Sequence, residues 1–116
     1  MKSKDIIILK KILDYCKQVN EACDMFSNSY DTFLTSSVFQ NACCMCILQI
    51  GELCKLVTDE LKEEEKIIPW RSWCGIRDIF AHQYYNLDFE SAWDSIQNDL
   101  PELQKNVIRI LEEKNR

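Results

Sequence analysis

Apolar residues in this chain recur at three- and four-residue steps, the spacing that gathers side chains on one face of a helix. Ile8, Ile12, Tyr15, Val19, Ala22 and Phe26 form such a stripe, and they predict a first amphipathic helix from about Lys4 to Phe26. Ser27-Asn28-Ser29 interrupts the pattern, and Asp31 or Thr32 is placed to cap the next helix. This second, long helix is expected from about Thr32 to Leu61. Its stretch from Ala42 to Leu56 is apolar nearly all round, as in the central element of a bundle. Lys62-Glu63-Glu64-Glu65-Lys66 then reads as a solvated connection.

Pro69 suits the first turn of a third helix, where a missing amide donor costs nothing. That helix carries Trp70, Trp73, Ile76, Arg77 and Phe80 and frays near His82. Gly75 weakens it by about 1 kcal/mol relative to Ala, which predicts the close approach of another backbone. Asp88 caps a fourth helix with Phe89, Trp93, Ile96 and Leu100 on one face. Asp99-Leu100-Pro101-Glu102 opens a fifth, with Leu103, Val107, Ile110 and Leu111 inward. The chain contains only two Gly and two Pro, which disfavours many short strands. The expected fold is all-α, an up-and-down bundle of four to five helices in a single domain over residues 1–116.

Composition narrows the setting. Hydrophobic residues make up 47% and charged residues 28%, an ordinary globular balance. No run approaches the ~18 consecutive apolar residues of a membrane span. The short apolar run Ile6 to Leu9 is too brief for a signal-peptide core. A cytoplasmic protein without membrane association is therefore expected. The seven cysteines are odd in number, lack paired C-x-x-C motifs, and share the chain with a single His, so no zinc site is expected. They read as reduced core thiols, and neither metal nor cofactor is expected. A net charge of −5 is not that of a non-specific nucleic-acid binder. RNA binding would need a local cationic cleft, which two subunits could build together.

The one His lies in Arg77-Asp78-Ile79-Phe80-Ala81-His82-Gln83-Tyr84. Imidazole titrates near neutrality and suits general acid or base work, while guanidinium matches phosphate oxygens. The pair could cleave RNA without metal, because the nucleophile is the substrate's own 2′-hydroxyl. Residues five apart on a regular helix are separated by about 140°, so the two share a face only across a local π-turn. Otherwise they approach a cleft from two sides. One His cannot be both base and acid in the same step, whereas a two-fold dimer brings two copies of His82 to one cleft. Taken alone, an Arg five before a His is a weak motif, and a His at a helix end is commonly a cap or a packed aromatic. Trp70, Trp73 and Trp93 read as core packing.

Arg77-Asp78-x3-His82 looks like the R-x4-6-H signature of the HEPN superfamily, and with Tyr84 it resembles the R-x4-H-x-Y motif of HepT-like toxins. Gln49-Ile50-Gly51-Glu52, Trp73-Cys74-Gly75-Ile76 and Trp93-Asp94-Ser95-Ile96-x3-Leu100-Pro101-x-Leu103 are similar to family positions in the same order. The resemblance implies a helical bundle that pairs through its motif helices, so that the motifs meet in a shared cleft. It implies metal-independent cleavage of RNA by the toxin of a type II toxin–antitoxin system. The expected partner is a minimal nucleotidyltransferase antitoxin that neutralises the toxin by AMP transfer. By the same resemblance Arg77 would hold phosphate, His82 would be acid or base, and Asp78 would orient the pair. Tyr84 would accept AMP, with Tyr85 its neighbour. Two departures stand out: the cysteine-rich Asn41-Ala42-Cys43-Cys44-Met45-Cys46, and Asp78 where Asn is frequent. The alternative function is a non-catalytic helical subunit that binds the nucleotidyltransferase.

Overall fold

Hydroxyl caps divide the first two-thirds of the chain. Ser29 accepts a hydrogen bond from the Thr32 amide, Ser36 from Phe39 and Thr58 from Leu61, each opening a helix. The computed structural model describes residues 1–114, and its helices run α1 (Ser3–Met25), α2 (Tyr30–Thr35), α3 (Ser37–Leu56), α4 (Asp59–Glu64), α5 (Trp70–His82), α6 (Phe89–Asp94) and α7 (Leu100–Lys114). No strand occurs among the described residues. The chain is all-α, as its periodicity predicts. Central α3 packs against α1 on one side and α5 on the other, and α1 also packs against α7.

Helix α1 keeps to its stripe: Ile8, Ile12, Val19 and Ala22 are buried together with Cys16 and Cys23. Ser27 and Asn28, both at positive φ, end it as expected. The long helix expected from Thr32 to Leu61 is instead three helices, started by Ser29 rather than by Asp31 or Thr32. The second break has a cause far away in sequence. Asp5, 1% exposed, accepts hydrogen bonds from the Thr58 amide (3.0 Å) and the Thr58 hydroxyl (2.6 Å), fixing the turn before α4.

Residues Lys62 to Lys66 are not simply a solvated connection. Glu65 is buried and pairs with Arg109 at 2.7 Å and Lys114 at 3.1 Å, tying the α4–α5 junction to α7. Burial raises the Glu65 carboxyl, but hydrogen bonds and charge from Arg109 and Lys114 outweigh it and leave its pKa below the usual glutamate value. Pro69 lies one position before α5, at the centre of a tight turn in which the Trp70 amide bonds the Ile68 carbonyl.

The expected fourth and fifth helices form one continuous path. Asp88 caps α6 through the Glu90 and Ser91 amides, and a π-helical turn, Ser95–Asp99, joins α6 to α7. Pro101, which lacks the amide donor and crowds the preceding turn, comes directly after that widened segment and Leu100. Trp70 and Trp73 are core residues, and half-buried Trp93 packs against Phe33 and Phe39. Helix α3 is long and apolar enough, by length and composition, to cross a membrane; half of its apolar window is buried inside the bundle.

Candidate active site

Two buried tryptophans and Phe80 fix α5 against the core. The approach is set by Gly51 on α3. A Cβ there would lie 2.5 Å from Arg77 Cβ and 2.6 Å from the Trp73 carbonyl oxygen, so only hydrogen fits without displacement. Gly75 is the glycine expected to admit a close neighbour, yet a Cβ at Gly75 would meet nothing within 4 Å. The close approach exists, but the glycine that permits it is on the opposite helix.

That contact sets Arg77 beside the next residues of α3. Arg77 Nε lies 2.5 Å from Glu52 Oε2, an ion contact not aligned as a hydrogen bond. Arg77 Nη1 donates to Asp78 Oδ1 at 3.2 Å, and Lys55 Nζ donates to the same oxygen at 2.6 Å. The result is a chain of alternating charge, Glu52–Arg77–Asp78–Lys55, across the α3–α5 seam. The carboxylates of Asp78 and Glu52 raise the Arg77 pKa. The Lys55 hydrogen bond, with Arg77 behind it, lowers that of Asp78 despite partial desolvation.

His82 is the last residue of α5 and is exposed; no hydrogen bond or ion pair reaches its side chain among the described residues. It is neither a cap nor a packed aromatic. The helix is regular from Trp70 to His82, and the one π-turn among the described residues lies elsewhere, at Ser95–Asp99. The five-residue step therefore leaves about 140° between Arg77 and His82. The fold brings Arg77 and Asp78 together and presents His82 separately.

Past the end of α5, a 3-10 turn, Tyr84–Asn86, carries both tyrosines. Tyr84 is half-buried and donates its hydroxyl proton to Asn41 Oδ1 on α3. Tyr85 is fully exposed. Burial, with Cys44 and Tyr85 nearby, raises the Tyr84 pKa and keeps the phenol neutral. Tyr84 and Asn41 line a groove of about 400 Å³ together with Met45, Leu48 and Phe80. Among the described residues, no group of three or more His, Cys, Asp or Glu side chains could hold a metal ion.

Glu52, Lys55 and Asn41 are the site residues that sequence reasoning did not single out for a role. Glu52 and Lys55 did leave a trace, as charged positions three apart on a helix otherwise apolar nearly all round. Only packing shows that they meet Arg77 and Asp78.

An all-helical bundle bearing R-x4-H-x-Y at the end of one helix is the architecture expected of a HepT-like protein. The sequence profile described as "Ribonuclease HepT-like" matches residues 12–110, and the chain belongs to that family. A protein of Methanocaldococcus jannaschii named "Putative RNase" is 31% identical, with 98% of this chain and 100% of the relative aligned. A Thermococcus cleftensis protein named "Probable ribonuclease HepT" is 27% identical over 78% of this chain and 87% of its own length. A second M. jannaschii protein, named "Gamma-glutamylcyclotransferase and putative RNase", is 32% identical over 95% of this chain, which spans only 49% of that longer relative. The comparison with solved structures gives no significant match.

Proposed function

We propose that this chain is the toxin of a type II toxin–antitoxin system, a homodimeric, metal-independent RNA endonuclease. The observation that carries the reading is His82. The chain's only imidazole ends α5 exposed and untied, on the same helix as Arg77, in a member of the ribonuclease HepT-like family.

In this reading two copies of the chain face each other so that their α5 ends flank one RNA strand. One His82 takes the proton of a 2′-hydroxyl. The freed oxygen bonds the adjacent phosphorus, and the bond from phosphorus to the 5′-oxygen breaks. The second His82, protonated, donates to that leaving oxygen. The products are a 2′,3′-cyclic phosphate and a 5′-hydroxyl. Arg77 offsets the charge that builds on the phosphorane oxygens. Tyr84 is the acceptor of AMP from a minimal nucleotidyltransferase antitoxin, and the added adenylate places negative charge and bulk where RNA phosphate would sit.

Purified protein, free of antitoxin, should cleave RNA in the presence of EDTA and leave 2′,3′-cyclic phosphate ends. His82→Ala should abolish cleavage while leaving the helical spectrum and melting temperature unchanged, since the side chain is exposed and bonded to nothing. Equal cleavage by both proteins would remove His82 from the mechanism.

A further inference from the structure

Two cations from different helices converge on one oxygen atom. Lys55 Nζ, on α3, and Arg77 Nη1, on α5, lie 2.6 Å and 3.2 Å from the same atom, Asp78 Oδ1. An oxygen gripped jointly by an ammonium and a guanidinium is what these groups provide for a phosphate. We propose that Lys55 and Arg77 form a two-cation phosphodiester site, with Asp78 Oδ1 as an internal placeholder that an RNA phosphate oxygen displaces. The proposal rests on RNA being the substrate. It adds Lys55 to the binding machinery and gives Asp78 a role as competitor.

The geometry suits exchange. The Lys55 and Asp78 side chains are 34% and 54% exposed, and ion pairs at such exposure are weak. Releasing Asp78 does not set Arg77 free, because Glu52 holds its Nε edge and the Gly51 contact fixes its backbone. Nη1, which donates to Asp78 Oδ1, would then be vacated. Arg77 would be a positioned donor edge rather than a swinging cation.

The arrangement also reconciles RNA binding with a net charge of −5. Glu52, Arg77, Asp78 and Lys55 sum to zero, so the closed cluster does not advertise itself as a basic patch. With Asp78 turned aside, two positive groups face one phosphate.

The test is binding of a non-cleavable 2′-O-methyl RNA oligonucleotide at several salt concentrations. Wild type, Lys55→Ala, Asp78→Asn and the double variant are compared, with melting curves to confirm folding. Lys55→Ala should weaken binding about tenfold. It should also lower the slope of log affinity against log salt by about 0.7, the loss of one phosphate contact on a single strand. Asp78→Asn should tighten binding several-fold, and that gain should be smaller in the Lys55→Ala background, where only Arg77 is released. Unchanged affinity and slope in Lys55→Ala, or weaker binding by Asp78→Asn, would overturn the site.

If wild type binds no RNA at any salt, the substrate reading fails, and inorganic phosphate then tests the site by itself. Monitored by the Arg77 Nε–H NMR signal, Asp78→Asn should respond at lower phosphate than wild type. Identical titrations, or no response in either, would end the proposal.

Discussion

Gly51 on α3 and Arg77 on α5 approach so closely that a methyl group on the glycine would lie 2.5 Å from the arginine Cβ. The residue that carries the candidate phosphate-binding guanidinium is thus seated by the absence of a side chain on its neighbour. One clash is with the Trp73 carbonyl, which is backbone and cannot rotate away.

Gly51→Ala should therefore destabilise the bundle by about 1–3 kcal/mol, the range for overpacking a tight contact. Gly75→Ala, on the open side of α5, should stabilise it by about 0.5–1 kcal/mol. Thermal melts of the two variants should move in opposite directions. A shift of both to lower temperature would contradict the placement of α5 on α3.

Stability should depend on pH through Glu65. Its folded pKa is lowered, so its contribution is present above the unfolded glutamate value of about 4.3 and is lost as pH falls through the lower folded value. Glu65→Gln should reduce stability at neutral pH and flatten that acid limb. Parallel curves of stability against pH for the two proteins would show that Arg109 and Lys114 do not act through this carboxylate.

Asp5 joins the start of α1 to the start of α4 through two hydrogen bonds to Thr58. Asp5→Ala should cost about 1–3 kcal/mol by leaving the Thr58 donors without their buried acceptor. Asp5→Asn, which keeps one acceptor oxygen, should lose less. Denaturant melts that rank the two variants equally would show that the retained oxygen of Asp5→Asn contributes nothing.

For the proposed neutralisation, incubation with the nucleotidyltransferase and ATP should raise the intact mass by AMP, and Tyr84→Phe should prevent it. Asn41 occupies the Tyr84 hydroxyl, so Asn41→Ala should speed the transfer. Modification that persists in Tyr84→Phe and disappears in Tyr85→Phe would move the acceptor to the fully exposed neighbour.

How far the sequence could be read depended on where each determinant lies. The face of α1 was legible because Ile8, Ile12 and Val19 repeat within one helix. The break before α4 was not, since half of its cause is Asp5, 53 residues away. Ser36 divides the expected long helix through a short-range cap, yet it stands among other hydroxyl residues, Thr35 and Ser37, that do not distinguish it. Glu65 sits in a charge run and differs from its neighbours only because α7 passes over it. The motif itself lies on one helix and could be found by spacing. Glu52 and Lys55, which complete the charge chain, are on another helix, and no local pattern states that α3 and α5 touch at Gly51.

The seven thiols give the molecule an internal reporter of local opening. Six are buried, and burial pushes Cys16 and Cys44 up to about 12, so alkylating reagents find almost no thiolate there at neutral pH. Cys74 alone is partly accessible, on α5 three residues before Arg77. In the folded protein it should be labelled first and alone. The time course for the other six would then record how often α1 and α3 part, without any introduced probe.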